Sequence, residues 1–334
     1  MSELSKDTFG RPLRDLRISV TDRCTFRCRY CMPAEVFGPD YAFLPKDKIL
    51  SFEEITRLAR IMTPMGVRKI RLTGGEPLLR RGIEDLVALI ASIEGVDDIA
   101  LTTNGILLPH HAEALALAGL NRVTVSLDAL DPEVFAKMNG VGAKVDRVLT
   151  GIRTARLHGL PVKLNAVIQR GVNEREILPL VRMAQEEDVV MRFIEYMDVG
   201  ESNGWNMKDV VPMAEILEII QAEHPLQALP PNDQGEVAKR FRLTEGSAEI
   251  GIISSVTQPF CSGCQRLRLS ADGKLFTCLF AAEGQDIRNI MRQEPDDDAL
   301  RSIISQTWSQ RSDRYSEERG EGKRTKAEMS YLGG

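Results

Sequence analysis

The sequence predicts an α/β fold: a partial (β/α)6 barrel of TIM type, followed by a smaller C-terminal module containing antiparallel hairpins. Three observations predict it. Strand-like runs alternate with amphipathic helical stretches over residues 1–200, nearly every strand ends in a polar or glycine cluster, and the alternation stops after Gly200.

The elements follow in order. LRISVTD (Leu16 to Asp22) reads as the first strand. Ser51 to Gly66 reads as a helix, with Ser51 as cap and Glu54 completing a capping box. VRKIRLTGGEP is a strand running into a glycine turn, GIEDLVALIASIEG a helix and DIALTTNG a strand. HHAEALALAG, KVDRVLTGIRTARLHG and NEREILPLVRMAQEE are helices that separate the strands RVTVSLDA, PVKLNAVIQ and VVMRFIEYM. Six strands with helical crossovers imply parallel pairing, in either an open doubly wound sheet or a barrel. The strand ends favour the barrel. Thr73-Gly74-Gly75-Glu76, Thr102-Thr103-Asn104-Gly105, Ser126-Leu127-Asp128 and Met197-Asp198 would converge on one mouth, the usual active-site face. Residues 201–334 hold one helix-like stretch (Val211 to Ala222), then AKRFRLTEG, AEIGIISSV and RLRLS-ADG-KLFTCLF around an Asp-Gly turn. Glu294 to Asp298 reads as a solvated acidic loop or helix start, and residues 314–328 as a mobile charged tail.

Composition excludes several classes. The chain is 43% apolar and 27% charged, ordinary for a globular protein. A net charge of −5 and 5% aromatic residues argue against a nucleic-acid surface. No run of about twenty apolar residues would span a membrane, and the first residues lack the apolar core of a secretory signal. A cytoplasmic, reducing setting follows, where thiols serve metals or clusters rather than disulfides.

All six cysteines fall into two triads: Cys24, Cys28 and Cys31 as C-x3-C-x2-C, and Cys261, Cys264 and Cys278 as C-x2-C-x13-C. Three thiolates are one fewer than a closed tetrahedral site needs, so each triad would leave one position open to a small molecule. The first triad lies directly after the first strand. Its spacing lets one loop wrap three corners of a [4Fe–4S] cube. A zinc knuckle would need a fourth ligand, and His110, His111, His158 and His224 lie far off in sequence. For the second triad, a zinc site with one further ligand stays open on spacing alone.

DRCTFRCRYCMP, with Tyr30 before the third cysteine, and GGEP at Gly74 to Pro77 resemble the signatures of the radical S-adenosylmethionine enzymes. FCSGCQRLRLSADGKLFTCLF and the terminal Gly333-Gly334 narrow the resemblance to the GTP 3′,8-cyclase family, across essentially the whole chain; Leu332 stands where isoleucine is more usual. The resemblance implies a [4Fe–4S] cluster at each triad, with S-adenosylmethionine bound at the first and the guanine end of GTP at the second. A 5′-deoxyadenosyl radical would take hydrogen from C3′ of GTP, and C3′ would join C8 to give 3′,8-cyclo-7,8-dihydro-GTP, an early step of molybdenum cofactor biosynthesis. It implies S-adenosylmethionine contacts at Tyr30, Gly75, Ser126 and Met197. It implies substrate contacts at Arg17, Arg71, Thr102, Lys163, Arg266, Leu267 and Arg268. It implies roles in catalysis for Arg17, Arg266, Arg268, Gly333 and Gly334. An external one-electron donor, a homodimer and hand-over to cyclic pyranopterin monophosphate synthase complete the picture.

Read from the residues alone, Arg266 and Arg268, two apart, share one face of a strand. Lys69, Asn104 and Asn165 are weaker candidates on or beside strand ends. Ordinary roles compete at some positions: Ser126 and Thr102 as helix-capping hydroxyls, Met197 as core. Two other functions compete with the cyclase. A peptide-modifying radical enzyme with an auxiliary cluster would usually carry more C-terminal cysteines. An iron–sulfur electron carrier or zinc scaffold would leave GGEP and the polar strand ends unexplained.

Overall fold

The computed structural model describes residues 4–246, 248–293, 296–320 and 325–333; Gly334 lies outside the described residues. Six parallel strands, β1 (Asp15–Ser19), β2 (Lys69–Thr73), β3 (Asp98–Thr103), β4 (Arg122–Ser126), β5 (Val162–Ile168) and β6 (Val190–Glu195), neighbour one another in chain order. A doubly wound sheet would reverse its order at a switch point, and this one does not, so the wall is a partial barrel. Helices α1 (Phe52–Met62), α2 (Ile83–Ala91), α3 (Leu108–Leu117), α4 (Pro132–Asn139), α5 (Val145–Leu157) and α6 (Ile177–Glu186) make the crossovers. The Ser51–Glu54 capping box opens α1 as expected.

The C-terminal elements are α7 (Met213–Gln221), β7 (Leu226–Leu229), β8 (Lys239–Leu243), β9 (Glu249–Ile253), β10 (Arg266–Leu269), β11 (Lys274–Phe276), β12 (Gln285–Asp286), α8 (Arg288–Gln293), α9 (Asp297–Ser309) and α10 (Met329–Leu332). The expected antiparallel pairs form, β8 with β9 and β10 with β11, and β7, which the sequence reading did not mark, adds antiparallel to β8. Their inner strands also continue the barrel wall. β9 pairs parallel with β6, and β10 pairs parallel with β1. One twelve-stranded sheet results, carrying antiparallel ribbons at both edges.

Alternation along the strands divides the side chains. Leu16, Ile18, Ile70, Leu72, Leu101, Val123, Leu164, Phe193, Ile252 and Leu267 are buried in the main core, together with apolar residues of the helices. The intervening set includes Arg17, Arg71, Lys163, Arg192, Arg266 and Arg268, and lines cavities inside the barrel. The core therefore lies between sheet and helices, and the barrel encloses a polar chamber instead of the packed apolar layers usual for the fold.

Segments 313–320 and 325–333 are pinned over the mouth, contrary to the mobile tail that their charge suggests. Asp198 accepts hydrogen bonds from the Tyr315 hydroxyl (2.5 Å), Arg319 Nε (3.0 Å) and Lys326 Nζ (3.0 Å). Glu328 accepts from the backbone N–H groups of Glu201 and Ser202 at 3.0 and 3.1 Å. The partners lie about a hundred residues upstream, which local composition does not register. Asp296 caps α9 by accepting from Asp298 N, so the end of the acidic run is a helix start.

Glu195 holds the far edge. Fully buried at the end of β6, its carboxylate accepts from Met213 N at 2.8 Å and from Val256 N and Thr257 N at 2.9 Å each. Replacement by alanine leaves one buried and two partly buried N–H groups without their acceptor. We expect Glu195→Ala to cost about 3 kcal/mol or more in urea unfolding. A loss below about 1 kcal/mol would mean that water replaces the carboxylate.

Candidate active site

Cys24, Cys28 and Cys31 occupy the loop that follows β1. Two glycines make room for it. A Cβ on Gly75 would lie 2.3 Å from the carbonyl oxygen of Arg23, inside any real contact, so the GGEP turn packs backbone to backbone against the cysteine loop. The Glu76 carboxylate then fastens this turn to the end of β3, accepting from Leu78 N (3.1 Å), Thr103 Oγ1 (2.8 Å) and Asn104 N (2.8 Å). Glycine at position 75 thus serves the packing of the loop, besides any approach of a ligand.

Cys261 and Cys264 precede β10 and Cys278 follows β11. Asp15 pairs with Arg266, so the second triad enters at the amino-terminal side of a strand pair whose carboxyl side leads to the first. All six cysteines line one cavity of about 290 Å³. Among the described residues, no three His, Cys, Asp or Glu side chains gather where a single metal ion would sit. Each triad offers three thiols to that space, a donor set that fits an iron–sulfur cluster.

The two triads differ electrostatically. Burial, then the Glu76 carboxylate, pushes the Cys24 thiol up to about 11. Burial and Asp128 hold Cys28 well above its ordinary value, and burial followed by Cys24 raises Cys31. In the second triad burial takes Cys278 up to about 11. Burial alone would raise Cys264 too, but Arg266 and Arg311 overcome it and bring that thiol down to about 6.

Tyr30, Gly75, Ser126 and Met197 all line the cavity of the first triad. The Tyr30 hydroxyl donates to Asp128 Oδ2 at 2.8 Å, and Val167 N donates to Asp128 Oδ1 at 2.9 Å. Burial lifts the Asp128 carboxyl to about 6. Ser126 and Thr102 cap no helix: α3 has no side-chain cap, and α4 is capped by Asp131. Asn104 and Asn165 also line this cavity.

Below lies a second cavity of about 540 Å³. Arg17, Arg71, Arg192 and Arg266 line both, forming the division between them. Arg268 and Thr102 face the upper cavity, Lys69, Arg122 and Lys163 the lower. Lys69 is paired with Asp233. Arg71 donates to Thr102 Oγ1 at 3.4 Å and Arg192 to Thr124 Oγ1 at 3.2 Å. The buried Nε atoms of Arg17, Arg71, Arg192 and Arg268 have no hydrogen-bond partner. Burial, with repulsion from Arg17 and Arg266, lowers Arg268 to about 9; burial, with Arg122, lowers Arg192 to about 10. Crowded cations with spare donors make a receptor for a polyanion.

Leu267 departs from the expectation of substrate contact. Its side chain is fully buried in the main core, on the opposite face of β10 from Arg266 and Arg268, because neighbours on a strand point to opposite sides. Gly333 reaches the site. It has φ +71°, and a Cβ there would lie 2.3 Å from Thr73 Cγ2 at the end of β2, so the chain passes where only glycine fits. Sequence reasoning missed Arg192, and put Asp128 at the mouth without giving it a partner or a role. The signal for Arg192 was present: in VMRFIE it alternates with Met191 and Phe193, both fully buried in the core. Asp128 bonds to residues 98 and 39 positions away, which nothing local announces.

Two family models match the chain, the radical SAM superfamily over residues 18–184 and Molybdenum Cofactor Synthesis C over residues 189–317. A protein of Acidothermus cellulolyticus named GTP 3′,8-cyclase is 52% identical over 362 residues, covering 100% of both chains. One of Staphylococcus carnosus with the same name is 50% identical over 98% of each chain, and one of Staphylococcus aureus 46% identical over 100% of each. Among solved structures, Streptococcus suis SuiB bound to S-adenosylmethionine superposes with a TM-score of 0.61 at 16% identity, over 87% of this chain and 68% of that one. At that identity the likeness concerns the fold. Full-length identity near one half, with both models matched in order, carries more: the chain belongs to the GTP 3′,8-cyclase family of the radical SAM superfamily.

Proposed function

We propose that the protein converts GTP to 3′,8-cyclo-7,8-dihydro-GTP, an early step of molybdenum cofactor biosynthesis, with S-adenosylmethionine and two [4Fe–4S] clusters. One observation carries the reading: both cysteine triads line a single cavity walled by arginines, among them Arg17, Arg71, Arg192 and Arg268, each with a buried Nε without a hydrogen-bond partner. A cluster site, a space for a small molecule and a polyanion receptor in one chamber are what a radical reaction on a nucleoside triphosphate needs. A peptide substrate would leave those arginines without a counterion, and a bare electron carrier would not need the chamber.

Cys24, Cys28 and Cys31 would hold the first cluster, and Cys261, Cys264 and Cys278 the second. Loaded, the first site supplies reductive cleavage of S-adenosylmethionine and, from it, a 5′-deoxyadenosyl radical able to take the C3′ hydrogen of GTP. The chain's own residues position and shield. Tyr30, Gly75, Ser126 and Met197 border the space for S-adenosylmethionine. Arg17, Arg71, Arg192, Arg266 and Arg268, with Thr102, Lys163 and Lys69, receive the triphosphate and fix the ribose by its charged end. The product needs a new C3′–C8 bond, so base and ribose must be held face to face; anchoring the phosphates below and the guanine beside the second triad does this. Gly333, threaded over Thr73, closes the mouth against water.

The protein requires an external one-electron donor and passes its product to cyclic pyranopterin monophosphate synthase; it acts as a homodimer in the cytoplasm. No helix among the described residues is long and apolar enough to cross a membrane.

Three outcomes are expected. Anaerobic turnover with a strong reductant, S-adenosylmethionine and GTP deuterated at C3′ should place deuterium in 5′-deoxyadenosine by mass spectrometry; unlabelled 5′-deoxyadenosine would assign a different hydrogen or substrate. Arg192→Ala should raise KM for GTP by about 10- to 100-fold, since a lost charge-assisted contact is worth about 1.5–3 kcal/mol, while leaving iron content unchanged. An unaltered KM would remove Arg192 from the phosphate site. Gly333→Ala should abolish cyclisation with both clusters retained, because the added methyl cannot share space with Thr73. Normal turnover in that variant would show that the tail end is not part of the closed site.

A further inference from the structure

The second triad has neighbours that the first lacks. Arg311, just beyond α9, is 4% exposed. It donates from Nη1 to the carbonyl oxygen of Cys264 at 2.8 Å and from Nη2 to Cys264 Sγ at 3.0 Å. Its guanidinium lies 4.7 Å over the Trp308 ring, and Asp7 Oδ2 is 3.5 Å from Nη1. Arg11, equally buried, is paired with Asp7 and donates to the carbonyl oxygen of Cys261 at 2.8 Å. Two guanidiniums therefore stand behind Cys261 and Cys264, with one fully buried carboxylate side chain between them. At the first triad the nearest comparable cation, Arg27, reaches the Cys24 carbonyl instead of its sulfur, and the carboxylates Glu76 and Asp128 share the cavity wall.

We propose that Arg311 is a positioning residue that raises the reduction potential of the cluster at the second triad, with Asp7 acting as the brake on its charge. This rests on the reading that Cys261, Cys264 and Cys278 hold a [4Fe–4S] cluster. One-electron reduction adds a negative charge to such a cluster and leaves its bonds in place. A fixed positive donor on a ligating sulfur favours the reduced form, and hydrogen bonds to sulfur are a recognised control of cluster potential. Burial keeps water from screening the effect. Asp7 faces Arg311 and Arg11 at once, whereas Asp313 lies 3.5 Å from Arg311 Nε, so neutralising Asp7 would strengthen the field of both cations while Asp313 stays in place.

The test uses the full chain with Cys24, Cys28 and Cys31 all changed to serine, so that only the second site binds iron. It is reconstituted and titrated with dithionite under potentiometric control and read by EPR. In that background Arg311→Gln should lower the midpoint by about 59 mV or more, a tenfold smaller reduced-to-oxidised ratio at fixed potential for one electron. Arg311→Lys should recover at least half of the change, and Asp7→Asn should move the midpoint upward. Opposite signs for Arg311→Gln and Asp7→Asn are not expected of residues that merely hold the fold. An unmoved midpoint in both, or a fall in Asp7→Asn, overturns the proposal. Should Arg311→Gln fail to retain iron, the direction of Asp7→Asn decides alone. If the serine background itself binds no iron, in place of about four per chain, the two-cluster reading falls and this proposal with it.

Discussion

Arg268, Arg17 and Arg71 stand side by side on β10, β1 and β2, at matched positions of two parallel pairings. Strands in a sheet lie roughly 4.8 Å apart. Burial first, and then repulsion from Arg17, lowers both Arg71 and Arg268. The whole molecule is arranged around this unfavourable row. Alternation allows it, because the strand residues between the arginines, Leu16, Ile18, Ile70, Leu72, Leu267 and Leu269, are buried in the core and hold the wall by burial alone. The same β1–β10 pairing joins segments about 250 residues apart and delivers the second triad to the cavity of the first. Without that pairing there would be neither the cationic row nor the shared chamber.

The mouth is built on the opposite principle. Its carboxylates are spent within the protein: Glu76 on the end of β3, Asp128 on Tyr30 and Val167, Asp198 on Tyr315, Arg319 and Lys326. Burial raises Asp128 and Glu76, while at Asp198 the Tyr315 hydrogen bond, with Arg319 and Lys326, outweighs burial and keeps the carboxyl low. These carboxylates with protein partners at the mouth, against the row of guanidiniums with spare Nε donors below it, give the chamber a polarity.

Much of this was legible in the sequence, and the limits are physical. The (β/α)6 order, the Ser51–Glu54 box and both triads are local patterns, set by spacing of two, three or four residues, and all of them stand. What spacing cannot supply is pairing at long range. DLRIS and RLRLS each read as an alternating strand, yet nothing in either says that they lie parallel and in register. The C-terminal strands therefore read as a separate module, although β9 and β10 extend the barrel wall at its two edges. Leu267 was drawn into the site by its neighbours in sequence, where the strand period puts it on the other face. The tail read as mobile because its anchors, Asp198 and the N–H groups of residues 201 and 202, belong to the far side of the mouth.

The polarity of the chamber bears on order as well as on place. A triphosphate carries its charge at one end, and the row of uncompensated guanidiniums attracts that end before any hydrogen bond forms. At the strand ends above, Glu76, Asp128 and Asp198 already accept from the protein's own donors. A polyanion would therefore meet the field of β1, β2, β6 and β10 first. An anion bound at this row would offset the repulsion between its guanidiniums, so binding would stabilise the folded barrel. The tail over the mouth is fastened by partly buried polar contacts at Asp198 and by the buried Leu332, whereas the barrel is held by its core.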